Sequence, residues 1–153
     1  MIMRRKDRQQ DTDFALNVID HSAYGVVAFS SGVPYCVPLS MVRVENNLYF
    51  HCAMEGTKLD LLRADPRVCV SFVSSNTAAE DKFTTYYQSA NVIGTAFEVT
   101  DETAKIDALR ALSEKLTPAH MPAFDEEVQR SLAVTAVWGI HIEELTGKAK
   151  LRK

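Results

Sequence analysis

Gly56, Thr57 and Lys58 form a short stretch whose residue types suit the binding of a phosphate group. They stand where a strand pattern ends and a helical pattern begins. The first turn of a helix presents backbone N–H groups without intrahelical acceptors at the positive end of the helix dipole, and Lys58 adds a full charge. Because many helices begin with a small polar residue and an exposed lysine, an ordinary helix start is the alternative interpretation.

His51 and Cys52 are reactive side chains that precede this turn on a predicted strand. Adjacent residues of a strand point to opposite faces, so these two cannot bind one metal ion together, and we expect no metal site. An imidazole can change its charge near neutral pH and donate a hydrogen bond to a substrate oxygen. His51 is therefore a candidate catalytic residue, and a hydrogen-bonded core histidine is the alternative.

The elements that would position these residues are mostly strands. Runs rich in β-branched and aromatic residues predict strands at 24–29, 34–44, 48–53, 67–73, 83–99 and 133–142. Helical spacing of apolar residues predicts helices at 12–20, 57–64, 101–116 and 125–131. Consecutive strands joined by short turns favour an antiparallel sheet or barrel, in one α+β domain that spans residues 1–153.

Two further local features are predicted within this pattern. The polar stretch from Ser74 to Asp81 is rich in breakers and indicates a loop. Gly94, inside a long strand pattern, indicates a bulge or a close approach of another chain segment. The three cysteines, Cys36, Cys52 and Cys69, each lie in a strand-like run without a CxxC motif, which indicates reduced, packed thiols.

Composition excludes several classes of function. The chain has 153 residues, 46% of them hydrophobic, and a formal net charge of −3. A nucleic-acid-binding domain is usually strongly basic, so we expect no nucleic-acid partner; the basic run at 4–8 is either a solvated arm or a clamp for a phosphate. No stretch resembles a membrane span or a signal peptide, and we expect a cytoplasmic protein without a membrane partner.

Seven blocks along the chain together resemble the flavin-binding split barrels related to pyridoxamine 5′-phosphate oxidase, and among them the nitroimidazole-resistance branch. The blocks are residues 3–8, 34–40, 48–53, 56–60, 65–69, 87–89 and 134–138. The resemblance covers nearly the whole chain in order. It implies a mainly β, α+β fold, a six-stranded antiparallel split β-barrel with peripheral helices, and a homodimer with FMN in the two clefts between the subunits.

The resemblance also implies which residues bind the cofactor. The segment Val37-Pro38-Leu39-Ser40 would face the flavin ring and ribityl chain, partly through backbone groups. His51 and Cys52 would lie along the ribityl chain and phosphate, and Thr57 and Lys58 would contact the phosphate.

Two more residues are implied on later strands. Ser89 resembles a serine on the strand nearest the partner subunit. Trp138 resembles a tryptophan that reaches the flavin ring from the other subunit, although a tryptophan in an alternating strand is usually a core residue. Gly139 stands where the family often has an arginine, so this chain lacks a cation there.

The function implied by the resemblance is that of an FMN-dependent oxidoreductase. Reduced nicotinamide would supply electrons, and a small organic molecule, with nitro-aromatic compounds as one class, would accept them. Two alternatives stay open from the sequence: a non-catalytic flavin or small-ligand binding or sensing module, and the same fold with haem or deazaflavin in the cleft.

Overall fold

Eight strands and four helices make up the computed structural model, which describes residues 1–153. The strands are β1 (Gln9–Gln10), β2 (Gly25–Phe29), β3 (Cys36–Leu39), β4 (Val42–Val44), β5 (Asn47–Ala53), β6 (Arg67–Ala78), β7 (Thr85–Glu98) and β8 (Thr135–Lys150). The helices are α1 (Thr12–His21), α2 (Thr57–Ala64), α3 (Glu102–Leu116) and α4 (Phe124–Ser131). No helix is long and apolar enough to cross a membrane.

The sheet closes on itself through the segment that contains β3 and β4. All strand pairs are antiparallel, in the order β3-β2-β6-β7-β8-β5-β4, and β1 pairs with β8. β3 and β4 are the two ends of this order, yet only Ser40 and Met41 separate them along the chain. The two ends therefore meet at Ser40 and Met41, which we call the seam. With β3 and β4 counted as one bent strand and the short β1 set aside, six strands form the wall, which confirms the predicted split barrel.

The interior of the barrel is filled by alternate residues of the strands. On β5, Leu48 and Phe50 are at most 1% exposed, and on β8 the inward residues include Trp138 and Ile140. Twenty buried residues form one continuous hydrophobic cluster. Burial of apolar area on this scale is the main favourable contribution to folding, and it leaves the barrel without a central channel.

Helix α2 covers the end of the barrel beside the seam. It follows β5 after the short turn Met54–Gly56, and its Leu59 and Leu62 are 1% and 2% exposed within the core. The Ser31 hydroxyl donates a hydrogen bond of 3.2 Å to the Leu61 carbonyl. The helix thereby joins the end of β5 to the turn between β2 and β3.

Helices α3 and α4 lie on the outside of the barrel, where α3 contacts β4, β5 and β8. Asp101 caps α3 by accepting a hydrogen bond of 2.9 Å from the amide of Ala104. Lys115, near the other end of α3, donates from Nζ to the carbonyl oxygen of Met41 at 2.9 Å. Burial lowers the pKa of Lys115, and the charge of Asp20 opposes that shift. The seam is therefore fastened to α3 by a half-buried lysine.

Two strands are longer than the sequence predicts. β6 continues to Ala78 and pairs with β7 as far as Ala78↔Thr85, so the predicted loop from Ser74 to Asp81 is wrong over most of its length. β8 continues to Lys150. The extra residues of β6 are mostly polar, and cross-strand hydrogen bonds with β7 hold them in the strand, whereas the extra residues of β8 include Leu145 and Ala149, which are partly or fully buried.

Gly94 shows both features predicted for it, a β-bulge and the close approach of another segment of the chain. The β7–β8 register shifts between Ile93 and Gly94, which is a bulge, and a Cβ at Gly94 would overlap the carbonyl oxygen of His141. Only a residue without a side chain permits this approach of two backbones.

Candidate functional site

The start of α2 leaves its first two amides free to bind an anion. Gly56, the N-cap, has φ 153° and ψ 168°, a conformation that favours glycine, and no side chain caps the helix. The amides of Leu59 and Asp60 both donate to the Gly56 carbonyl, each at 3.1 Å. The amides of Thr57 and Lys58 have no acceptor within the helix, as expected for a first turn. A Cβ on Gly56 would meet nothing within 4 Å, so the N-cap itself lies in open space.

Lys58 adds a positive charge to this turn from a half-buried position, while Thr57 is exposed. Lys58 forms no ion pair with any carboxylate of the chain. An unpaired ammonium group beside two free amides is a suitable arrangement for a phosphate, because each donor contributes a hydrogen bond to a charged acceptor.

The predicted segment 37–40 has two different faces. Val37 and Leu39 are half-buried against the core, whereas Pro38 and Ser40 are exposed on the outside of the barrel. Pro38 has no backbone N–H, so at this position the strand can offer only its carbonyl oxygen to a ligand. Ser40 offers a hydroxyl at the seam.

His51 and Cys52 point to opposite faces of β5, as their adjacency predicts. His51 is exposed on the outer face, and Cys52 is packed against the core. Burial raises the pKa of the Cys52 thiol, and the nearby charges of Lys58 and Arg63 oppose this effect. Cys52 is therefore a protonated packing residue near neutral pH, and His51 is the member of the pair that can reach a ligand.

The strand register brings these residues to one region. The β4–β5 ladder ends at Val42↔Tyr49, with Ser40 two residues beyond it on one strand and His51 two residues beyond it on the other. β5 ends at Ala53, and Thr57 and Lys58 follow four and five residues later. Ser40 of the seam, the end of β5 and the start of α2 therefore lie in one region, which we call the seam site.

Ser89 lies elsewhere in the same chain. It pairs with Lys148 on β8, whereas Cys52 of the seam site pairs through β5 with Ala136 of β8. Twelve residues along an extended strand correspond to roughly 40 Å of strand length. Ser89 also donates a hydrogen bond of 3.3 Å to the Lys148 carbonyl. One chain does not bring Ser89 to the seam site.

Trp138 lies inside the barrel, where it is 4% exposed and belongs to the core cluster. Its Nε1 is buried without a hydrogen-bond partner. The guanidinium of Arg63, on α2, lies 6.0 Å from the centre of the indole ring, at the limit of a cation–π contact. The structure thus separates Trp138 from the exposed residues of the seam site. Arg63 was not among the residues predicted from the sequence, because a charged residue on the exposed face of a helix looks like any other solvated residue there.

The other candidate chemistry of the chain is limited. No three His, Cys, Asp or Glu side chains come together as a metal site. The three cysteines are unpaired thiols, and Cys36 is exposed, unlike the packed thiol that its strand pattern suggested.

A model of the family described as pyridoxamine 5′-phosphate oxidase matches residues 11–149. The chain belongs to that family. The match includes all of the seam site and both long strands, so the resemblance in sequence and the closed sheet with its seam agree. The sequence matches none of the curated proteins with which it was compared.

Solved structures share the fold of this family member at low sequence identity. A candidate 5-nitroimidazole antibiotic resistance protein from Bacteroides thetaiotaomicron is 21% identical, with 92% of this chain and 84% of that chain covered and a TM-score of 0.73. The flavocytochrome Anf3 from Azotobacter vinelandii is 21% identical, with 99% and 73% covered and a TM-score of 0.79. An FAD-binding protein from Mesorhizobium loti is 24% identical, with 95% and 97% covered and a TM-score of 0.63. These likenesses show the split-barrel fold.

Proposed function

We propose that this member of the pyridoxamine 5′-phosphate oxidase family is an FMN-dependent oxidoreductase of the cytoplasm that works as a homodimer. Reduced nicotinamide is the proposed electron donor, and a small organic molecule, with nitro-aromatic compounds as the first class to test, is the acceptor. Two observations support a flavin: the family of the chain, and the names of its solved structural relatives, which include an FAD-binding protein and a flavocytochrome.

The observation that carries the proposal is the open start of α2. The amides of Thr57 and Lys58, together with the Lys58 ammonium, would hold the phosphate of FMN. Glycine at position 56 allows the positive φ of this helix start and adds no side chain of its own beside the amides. Since a phosphate monoester bears nearly two negative charges, the free amides, the helix dipole and the lysine all act in the same direction.

The residues of the seam would contact the rest of the cofactor. Pro38 and Ser40 present a carbonyl and a hydroxyl outside the barrel, while Val37 and Leu39 pack behind them and hold the strand in place. When bound, a flavin supplies the acceptance of hydride from reduced nicotinamide and the transfer of electrons to the acceptor. The contribution of the protein is to position the cofactor and to exclude competing reactions.

His51 is the proposed catalytic residue. Its side chain is exposed on the outer face of β5, just beyond the ladder with β4 and six residues before α2. From there a ring N–H can donate a hydrogen bond to an oxygen of the small-molecule substrate and deliver a proton as electrons arrive. Cys52 supports this residue from the opposite face by packing in the core.

A second copy of the chain would complete the site. Ser89 can approach the seam site only from another subunit, because within one chain the two are at opposite ends of β8. Exposed apolar side chains are available for such an interface: Met54, next to the seam site, is 44% exposed, and Val73 is 54% exposed. Trp138 enters the proposal as a core residue that supports α2 through Arg63.

The test is a titration of the purified protein with FMN, followed by flavin absorbance and by sedimentation to determine the oligomeric state. We expect one FMN per chain and a dimer. Reduced nicotinamide and a nitro-aromatic acceptor, supplied without oxygen, should then bleach and restore the flavin absorbance. A protein that refuses FMN overturns the proposal.

One alternative is favoured by a specific observation, since one structural relative is named a flavocytochrome. A haem in the cleft would give an intense Soret band instead of a flavin spectrum. Release of the cofactor by heat, followed by chromatography, separates FMN from FAD. Flavin that binds but stays oxidised with donor and acceptor present would favour a non-catalytic binding module.

A further inference from the structure

A second cleft, of about 880 Å³, opens at the end of the barrel away from α2. Three separate segments form it: the residues just before β1, the turn between β6 and β7, and the end of β8 with the residues that follow. Five cationic residues line it, namely Arg8, Lys82, Lys150, Arg152 and Lys153. We call this feature the basic cleft.

The charge of the basic cleft is opposite to that of the whole chain. Against the five cations stand two carboxylates, Asp7 and Asp81, an excess of three positive charges in a chain whose formal net charge is −3. Asp7 is already engaged, since Arg5 donates from Nε to its carboxylate at 2.8 Å. Four of the cations, Lys82, Lys150, Arg152 and Lys153, have no carboxylate within ion-pair distance. Asp81 is thus the one side-chain carboxylate of the lining left to balance these four charges, since Asp7 is paired with Arg5 and Arg8.

The pKa of Tyr87, which lies on β7 beside the cleft, responds to the positive charges in this region. Burial alone would raise its pKa, but the hydrogen bond from Arg8, at 3.5 Å, and the charges of Lys148 and Arg8 lower its pKa below the usual value. The Lys148 ammonium lies 6.0 Å from the centre of the Tyr87 ring. Tyr87 follows the lining residue Tyr86 on β7 and is paired with the lining residue Lys150 on β8, so it lies next to the cleft without lining it.

The lining of the cleft also suits a ligand larger than a single ion. Thr84 and Tyr86 place hydroxyl groups in the wall, Thr84 is contacted by the Lys150 ammonium, and Leu151 adds apolar surface. The volume lies in the range of clefts that hold nucleotide-sized molecules. One phosphate monoester would neutralise only part of the excess charge, whereas a diphosphate with an attached organic group matches both the charge and the mixed lining.

We propose that the basic cleft binds a small molecule that bears a diphosphate group, as nucleoside diphosphates do. Within one chain this site is distinct from the seam site, because the two lie at opposite ends of β8. Arg152 supplies a planar fork of donors suited to phosphate oxygens, and the lysines supply mobile point charges.

The test is calorimetric titration of the full chain at low ionic strength with inorganic pyrophosphate and then with ADP. Lys82→Gln and Arg152→Gln, both at exposed residues, should each weaken binding about two- to fivefold, and the double variant about tenfold, as expected for solvent-exposed charge pairs. The affinity should fall as salt is added, because exposed charges are screened. Inorganic phosphate should bind more weakly than pyrophosphate.

Two controls make the result decisive. Arg110→Gln combined with Arg130→Gln removes the same charge from α3 and α4, where both arginines are ion-paired and exposed, and should leave binding unchanged. Lys58→Gln tests whether pyrophosphate binds at the seam site instead. The proposal is wrong if the α3/α4 control loses as much pyrophosphate affinity as the basic-cleft variants, or if Lys58→Gln alone loses affinity. Circular dichroism establishes that each variant is folded.

Discussion

The ring of Phe97 lies directly over Gly139 on the outer face of the barrel: a Cβ at position 139 would overlap Phe97 Cζ. Tyr49 completes the arrangement, with its ring edge-on to that of Phe97 and the ring centres 6.2 Å apart. An aromatic side chain placed across a strand glycine restores the packing that the glycine lacks. The position where the family often has an arginine is therefore filled from the neighbouring strand, and no cation fits there while Phe97 keeps this rotamer.

For this reason, Gly139→Ala and Gly94→Ala should lower the free energy of unfolding by different amounts. Gly139→Ala meets a side chain that can rotate, so we expect a loss of about 1–3 kcal/mol in the free energy of unfolding. Gly94→Ala meets the backbone carbonyl of His141, which cannot move independently of its strand, and should cost more. Denaturant unfolding measures both, and Phe97→Ala should rescue Gly139→Ala but not Gly94→Ala. Equal costs for the two glycines would contradict the structure.

Lys58→Ala should weaken FMN binding, because it removes the one full positive charge from the first turn of α2, where Asp60 is the opposing charge. A hydrogen bond to a charged group contributes about 1.5–3 kcal/mol, which corresponds to a loss of roughly 10- to 150-fold in affinity. Flavin fluorescence titration measures the effect. Arg130→Ala, an exposed change of the same charge on α4, is the matched control. If Lys58→Ala binds FMN with full affinity, the assignment of the phosphate to the start of α2 is wrong, although the description of the fold is unaffected.

The three thiols should react with iodoacetamide at different rates. Cys36 is exposed, whereas burial raises the pKa of both Cys52 and Cys69, so these two hold less of the reactive thiolate at a given pH. At pH 8 we expect modification of Cys36 first, as measured by mass spectrometry of digests. Cys36→Ser should abolish the fast phase. Fast modification of Cys52 in the folded protein would place that thiol outside the core.

The same shifts predict a loss of stability in alkali. A thiol with a raised pKa in the folded state contributes stability that is present below the pKa of the unfolded chain, about 8.5, and is lost as pH rises through the folded value. The unfolding midpoint should therefore fall above about pH 9. Cys52→Ala with Cys69→Ala should flatten that part of the pH profile, and an unchanged profile in the double variant would contradict this explanation.

Trp138 is the only tryptophan, so its fluorescence tests its burial directly. At 4% exposure the indole should resist quenching by iodide in the folded protein and become accessible on unfolding. Arg63→Ala should increase quenching, since the guanidinium lies over the ring. Strong iodide quenching of the folded wild-type chain would show that the indole reaches the surface, as the family resemblance suggested.

Much of this fold follows from local patterns. The helix at 57–64 is predicted and observed with the same bounds, because Gly56 begins it and Asp65-Pro66 ends it. The predicted alternation of Val134, Ala136, Trp138, Ile140 and Ile142 correctly indicates one inward face of β8 from Ala136 onward, whereas Val134 precedes the strand and is 67% exposed. Adjacent-residue geometry likewise places His51 and Cys52 on opposite faces.

Other features depend on contacts between distant segments, which a local pattern does not contain. The polar residues from Ser74 to Ala78 form a strand only because β7 pairs with them. The overlap of Phe97 with Gly139 needs the β7–β8 register. The basic cleft needs three segments to meet, so its cations look like ordinary solvated residues in the sequence.

Pro38 has a consequence beyond any ligand, because β3 is the end of the sheet and pairs only with β2. An unpaired strand border offers a row of amides and carbonyls to other chains and is a common starting point of aggregation. This border is four residues long and contains a proline, which cannot donate to an added strand. The border of β3, where Pro38 is accessible to a ligand, is thus also protected against pairing with a β-strand of another chain.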